Sequence, residues 1–91
     1  MLTLEYQAQF KKDMRLLIKR KWNLSLLEEA VEILQNEQTL PAVYMDHPLS
    51  GNWKDHRDCH IQGDWVLIYK IFEERKALRL VRTGSHSDLG L

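Results

Sequence analysis

Only one cysteine, Cys59, stands in this 91-residue chain, so an internal disulfide is impossible and a reducing compartment suits it. No apolar run approaches the roughly 20 residues that span a bilayer. The start, Met1-Leu2-Thr3-Leu4-Glu5, lacks the basic region and apolar block of a secretory signal. Charge of either sign is not in excess: 13 Lys and Arg balance 13 Asp and Glu, which argues mildly against nucleic acid as a partner. Repeats, low-complexity segments and linkers are missing as well. One domain, 1–91, with a single modest core is expected, in the cytoplasm and with no membrane partner.

The charge that is present is unevenly placed. Lys11, Lys12, Arg15, Lys19, Arg20 and Lys21 crowd one stretch against the single acid Asp13, whereas the stretch Glu28 to Glu37 holds glutamates and no base. Such a chain can hold a polyanion on one side and remain acidic on the other, or simply expose two solvated helix faces of unlike sign.

Periodicity supplies the fold. Leu2 to Tyr6 alternates apolar and polar as a short strand. Phe10, Met14, Leu17, Ile18 and Trp22 follow at helical spacing, predicting a helix over 7–22. Ser25-Leu26-Leu27-Glu28 has the form of a capping box opening a second helix, which buries Leu27, Ala30, Val31 and Leu34 and stops before Pro41. After loop chemistry at Asp46 to Gly51 come three strands, about 53–61, 64–72 and 77–83, with turns at Gln62-Gly63 and Glu73 to Lys76. The prediction is an α+β fold ordered β-α-α-β-β-β. Two helices pack on one face of a small, mainly antiparallel four-stranded sheet.

Counting back from the turns pairs Ile61 with Asp64, His60 with Trp65 and Cys59 with Val66. It also pairs Phe72 with Ala77, Tyr69 with Leu80, Leu67 with Arg82 and Trp65 with Gly84. His60, Asp64, Trp65, Arg82 and His86 then gather at one sheet edge, a usual place for a site. On the pleat His56, Asp58 and His60 share one face while Arg57, Cys59 and Ile61 share the other, so Cys59 reads as core. His56 and His60 stand roughly 13 Å apart on a strand rising about 3.3 Å per residue, which excludes them as a metal pair. Each polar residue has an ordinary alternative: a half-exposed strand histidine at His60, a solvated tail at His86, a turn former at His47, and core at Trp65 and Tyr69.

Taken together, Asp46-His47-Pro48-Leu49, Gly51, Trp53-Lys54, Arg57-Asp58-Cys59-His60-Ile61, Asp64-Trp65, Leu67-Ile68-Tyr69 and Arg82-Thr83-Gly84-Ser85-His86-Ser87-Asp88-Leu89 closely resemble the YafQ-type toxins. These form part of the RelE/ParE superfamily of bacterial type II toxin–antitoxin systems. The resemblance implies a RelE-like fold and a metal-independent endoribonuclease, without cofactors, that enters the ribosomal A site and cuts mRNA. It further implies a cognate antitoxin, through which alone operator DNA is met. The family's functional positions fall on His47, His60, Asp64, Trp65 and His86. One position departs: Gly90 stands where the family often places an aromatic residue.

RNA carries its own nucleophile, the 2′-hydroxyl, so the enzyme must take its proton, stabilise the phosphorane and protonate the leaving 5′-oxygen. His86 is the expected acid and His60, paired with Asp64, the expected base or phosphate-orienting group, with His47 the competing base. Arg82, with Arg57 or Lys54, would hold phosphate oxygens, and Trp65 would stack on a base. Lys11, Lys12, Arg15, Lys19 and Arg20 would grip ribosomal RNA. Two rivals share the scaffold: a catalytically silent module that only binds its antitoxin, and a ParE-like gyrase poison.

Overall fold

The computed structural model describes all 91 residues. Its elements are β1 (Thr3–Tyr6), α1 (Ala8–Lys19), α2 (Leu24–Gln35), β2 (His47–Pro48), β3 (Arg57–Gln62), β4 (Trp65–Phe72), β5 (Ala77–Ser85) and α3 (His86–Leu89), with 3₁₀ turns at Ala42–Tyr44 and Gly51–Trp53. The sheet has five strands in the order β1-β5-β4-β3-β2; β1 runs parallel to β5 and every other pair is antiparallel. The expected α+β class holds and the six predicted elements follow in their predicted order, but the counts of four strands and two helices do not: β2 adds a fifth strand and α3 a third helix. The added strand is only His47-Pro48, facing Asp58 and Arg57. Two residues carry no alternation to read, and a proline is tolerated there because the strand is an edge.

Helix ends also differ from expectation. α1 stops at Lys19 because Lys21 turns left-handed at φ 60°. α2 is capped by Asn23, whose side chain accepts the Ser25 backbone N–H at 3.2 Å. Ser25 is therefore inside the helix and forms no capping box, since asparagine two residues earlier is the cap. The strand expected from residue 53 begins at Arg57, because Gly51–Trp53 forms a 3₁₀ turn instead.

Both helices lie on one face of the sheet. There Phe10, Leu17, Leu27, Ala30 and Leu34 meet Cys59, Trp65, Leu67, Tyr69, Leu78 and Leu80 in the main core. The opposite, open face carries a small cluster, Val66, Ile68, Val81 and Leu89, with Leu49 and Trp53 against it.

Two bulges decide what each face receives. In the β3–β4 hairpin His60 pairs with Val66 and Cys59 with Leu67, but Gln62 pairs with Trp65, with one extra residue between His60 and Gln62. The turn is Gly63-Asp64, one residue later than predicted. In the β4–β5 pair Phe72–Ala77 and Tyr69–Leu80 form as expected, after which Ile68 faces Arg82, Leu67 faces Thr83 and Trp65 faces Ser85. Each bulge shifts the ladder by one, and a one-residue slip moves a side chain to the other face. His60 consequently joins the open face while Trp65 joins the core.

Candidate active site

Three imidazoles meet on the open face. His47 comes from β2, His60 from β3, and His86 is the first residue of α3. His60 is central, its ring 6.4 Å from that of His47 and 5.2 Å from that of His86. A carbonyl oxygen can only accept a hydrogen bond, which settles two tautomers. His47 Nδ1–H donates to the Met45 carbonyl at 2.8 Å. His86 Nδ1–H donates to Asp64, both to its backbone carbonyl at 3.1 Å and to its carboxylate. In each ring Nε2 remains free for proton transfer.

Beneath them lies a carboxylate that sequence reasoning did not assign to the site. Asp58 is 2% exposed, and its Oδ1, 3.2 Å from His47 Nδ1, has no hydrogen bond of its own. The His47 N–H is directed at Met45, so its contact with Asp58 is one of charge. Burial pushes the Asp58 carboxyl above its ordinary value, against the pull of His47, then His60, then His86. The available signal was its place in the alternation of His56, Asp58 and His60; nothing local to the sequence marks a carboxylate as buried.

Several expected residues stand elsewhere. Asp64 is bound to His86 and not to His60, because the hairpin turn places it beside α3. Trp65 is 3% exposed, packed against Trp22 at 5.1 Å between ring centres, and its Nε1–H donates to Thr83 Oγ1 at 2.8 Å. It cannot offer a free face to a base. Arg82 is held by Asp13 of α1 at 2.8 and 3.1 Å, and Thr83 N–H joins the same carboxylate at 3.1 Å. Arg57 lies across the strand from His60 and pairs with Asp46 at 3.1 Å, which also accepts from the Tyr69 hydroxyl. Arg20 is bound to Asp88. Lys54, Lys11, Lys12, Arg15 and Lys19 are exposed cations.

Cys59 is fully buried, and desolvation pushes its thiol up to about 12, leaving it inert as a nucleophile. His56 precedes β3, its ring against Trp53 and its Nδ1–H donating to Lys54 O at 3.0 Å. No group of three or more His, Cys, Asp or Glu side chains is arranged to hold a metal ion.

A histidine trio with carboxylates on this fold has known counterparts. The family model for YafQ, described as a bacterial toxin of type II toxin–antitoxin systems, matches residues 2–90. The chain belongs to the YafQ family. It is 46% identical over 87 residues to the mRNA interferase toxin YafQ of Escherichia coli, an alignment covering 94% of this chain and 92% of that one. A crystal structure of a metal-bound toxin from Helicobacter pylori superposes with a TM-score of 0.91 at 46% identity, over 98% of this chain and 99% of the other. YafQ in the E. coli DinJ–YafQ complex gives 0.87 at 44% identity, with 98% of each chain covered. This YafQ-family chain is the one the motifs between residues 44 and 89 led us to expect.

Proposed function

We propose that this chain is a ribosome-dependent endoribonuclease that cuts mRNA in the A site by metal-independent acid–base chemistry and is silenced by a cognate antitoxin. The observation that carries the reading is the trio of imidazoles, with His86 bound to Asp64 and its ring centre 5.2 Å from that of His60. The E. coli relative is named an mRNA interferase toxin and is seen in complex with DinJ, which supports both the activity and the antitoxin.

His86 is the general acid. Asp64 orients its ring through Nδ1, so that Nε2–H is free to protonate the departing 5′-oxygen. With Asp64 committed to His86, the base role passes to His47, whose Nε2 lone pair is defined by the Met45 bond and whose Nδ1 lies 3.2 Å from the Asp58 carboxylate. His60, between the two, faces the scissile phosphate and stabilises its developing charge. Because Arg82 and Arg57 are committed to carboxylates, Lys54 is the cation left to meet the phosphate backbone. The exposed Lys11, Lys12, Arg15 and Lys19 grip ribosomal RNA. A 2′-hydroxyl attack leaves a 2′,3′-cyclic phosphate and a 5′-hydroxyl.

The test is primer extension on a defined mRNA in a purified translation system, with the new termini analysed chemically. In-frame cuts that need ribosomes, carry cyclic phosphate ends and vanish in His86→Ala are expected. Charge reversal at Lys12, Arg15 and Lys19 should weaken ribosome binding. Ends bearing 5′-phosphate would refute the 2′-hydroxyl mechanism. An absence of cuts from folded wild type would favour the silent antitoxin-binding module instead; Gly90, closing α3 at φ 70° where the family often has an aromatic, is the feature that keeps that reading alive.

A further inference from the structure

Arg20, at the C-cap of α1, grips Asp88 of α3 with both guanidinium nitrogens, NH1 to Oδ2 at 2.7 Å and NH2 to Oδ1 at 3.1 Å. The guanidinium carbon also stands 5.3 Å from the centre of the Trp22 ring. The same Asp88 carboxylate accepts the Ser85 backbone N–H at 2.9 Å, while Ser85 Oγ accepts the Asp88 N–H at 3.1 Å, a reciprocal cap. Gly84, at φ 155°, leaves the room: a Cβ there would lie 2.9 Å from Asp88 Oδ2. All of these contacts converge on α3, which is four residues long and starts with His86. So short a helix does not hold itself together, because its nucleation is unfavourable. The other supports are Leu89 in the open-face cluster and Asp64, whose side chain is itself 64% exposed.

We propose that Arg20 and Asp88 are positioning residues for RNA cleavage, a clamp between α1 and α3 that fixes the His86 imidazole against Asp64. This rests on His86 acting as the general acid. Arg20 then serves geometry and is not one of the ribosome-gripping cations its sequence neighbourhood suggests. An exposed ion pair contributes little to global stability, so the effect is local. The guanidinium and the Ser85 N–H hold the Asp88 carboxyl well below its usual range, which keeps the clamp closed wherever a histidine titrates.

The two partners make the idea testable, because only one is cationic. Single-turnover cleavage on purified mRNA–ribosome complexes is measured for Arg20→Ala, Asp88→Asn and Arg20→Lys. His86→Ala serves as the null, and Arg75→Ala, which breaks the distant exposed pair with Glu5, as the control. Displacing a reacting group slightly costs up to about 100-fold. Arg20→Ala and Asp88→Asn should each slow cleavage by roughly 10- to 100-fold. Their half-saturating ribosome concentration should stay that of wild type and their Tm that of the control. Arg20→Lys, keeping the charge without the fork, should recover part of the rate. NMR of the free protein should show the His86 ring losing its fixed contact with Asp64 in the two disrupting variants.

If Asp88→Asn cleaves normally while Arg20→Ala only raises half-saturation, Arg20 is an RNA contact and the clamp is refuted. Cleavage that survives His86→Ala would overturn the proposed mechanism, and with it the positioning role in cleavage, leaving only the question of whether the clamp fixes the ring. In that case the NMR comparison decides, and a His86 ring unmoved in both variants refutes it.

Discussion

The two faces of the sheet divide the work of this molecule. The helix-covered face holds 13 buried core residues, and the open face holds 4. A thick apolar layer stabilises the fold but excludes unpaired charge, since burying an unpaired ionisable group costs several kcal/mol on order of magnitude; the buried Asp13 of α1 is paired with Arg82. The thin layer leaves space for imidazoles at the surface and for one buried carboxylate, Asp58, kept tolerable by three neighbouring histidines. The core and the proposed site thus lie on opposite sides of the same strands, and β3 shows it residue by residue: Cys59 is core, while Asp58 and His60 face the proposed site.

Substitutions should break this division in opposite ways. Leu67→Ala on the covered face should lower unfolding free energy by about 2–5 kcal/mol in urea titration, with cleavage per folded molecule unchanged. Trp65→Phe sharpens the contrast at the residue whose face was misread from sequence. It removes the Nε1–H bond to Thr83 and leaves a buried hydroxyl with one partner fewer, for a loss of about 1 kcal/mol. Codon preference and rate should not change; a changed preference would restore Trp65 as a base-stacking residue.

Asp58→Asn should show the smallest and most telling effect, a trade of function against stability. The folded state holds the Asp58 carboxyl above its unfolded value of about 3.9, so its charge is a cost at neutral pH. That cost disappears as pH falls through the raised folded value towards the unfolded one. The variant should therefore melt higher than wild type at pH 7, with the advantage shrinking in acid, while its cleavage slows. Equal melting temperatures across this range would mean that the histidines fully compensate the buried charge.

Much of the fold was legible because it is local. Helical spacing from Phe10 to Leu17, alternation around His60 and a continuous apolar strand from Trp65 to Tyr69 each follow from nearest-neighbour periodicity, and all three are present. The β4–β5 loop at residues 73–76 was also placed correctly, and with it the Phe72–Ala77 and Tyr69–Leu80 pairs. Asn23 displaced the serine cap because either residue can open a helix there, and the folded backbone starts it at Leu24, where Asn23 accepts the Ser25 N–H.

By itself the sequence determined an α+β domain, the order of its six main elements, its membership of the YafQ family and the three histidines proposed for the site, because composition, periodicity and motif are properties of the chain. Only the tertiary structure decided which carboxylate serves which histidine. Bulges near Ile61 and Val81 cost one residue of register each, leave no mark in periodicity, and exchange the faces of everything beyond them. That exchange buries Trp65, leaves His60 without Asp64, gives Asp64 to His86 and brings Arg20 across to Asp88. Contacts between residues 22 and 68 positions apart depend on how strands slip past one another, which no local pattern records.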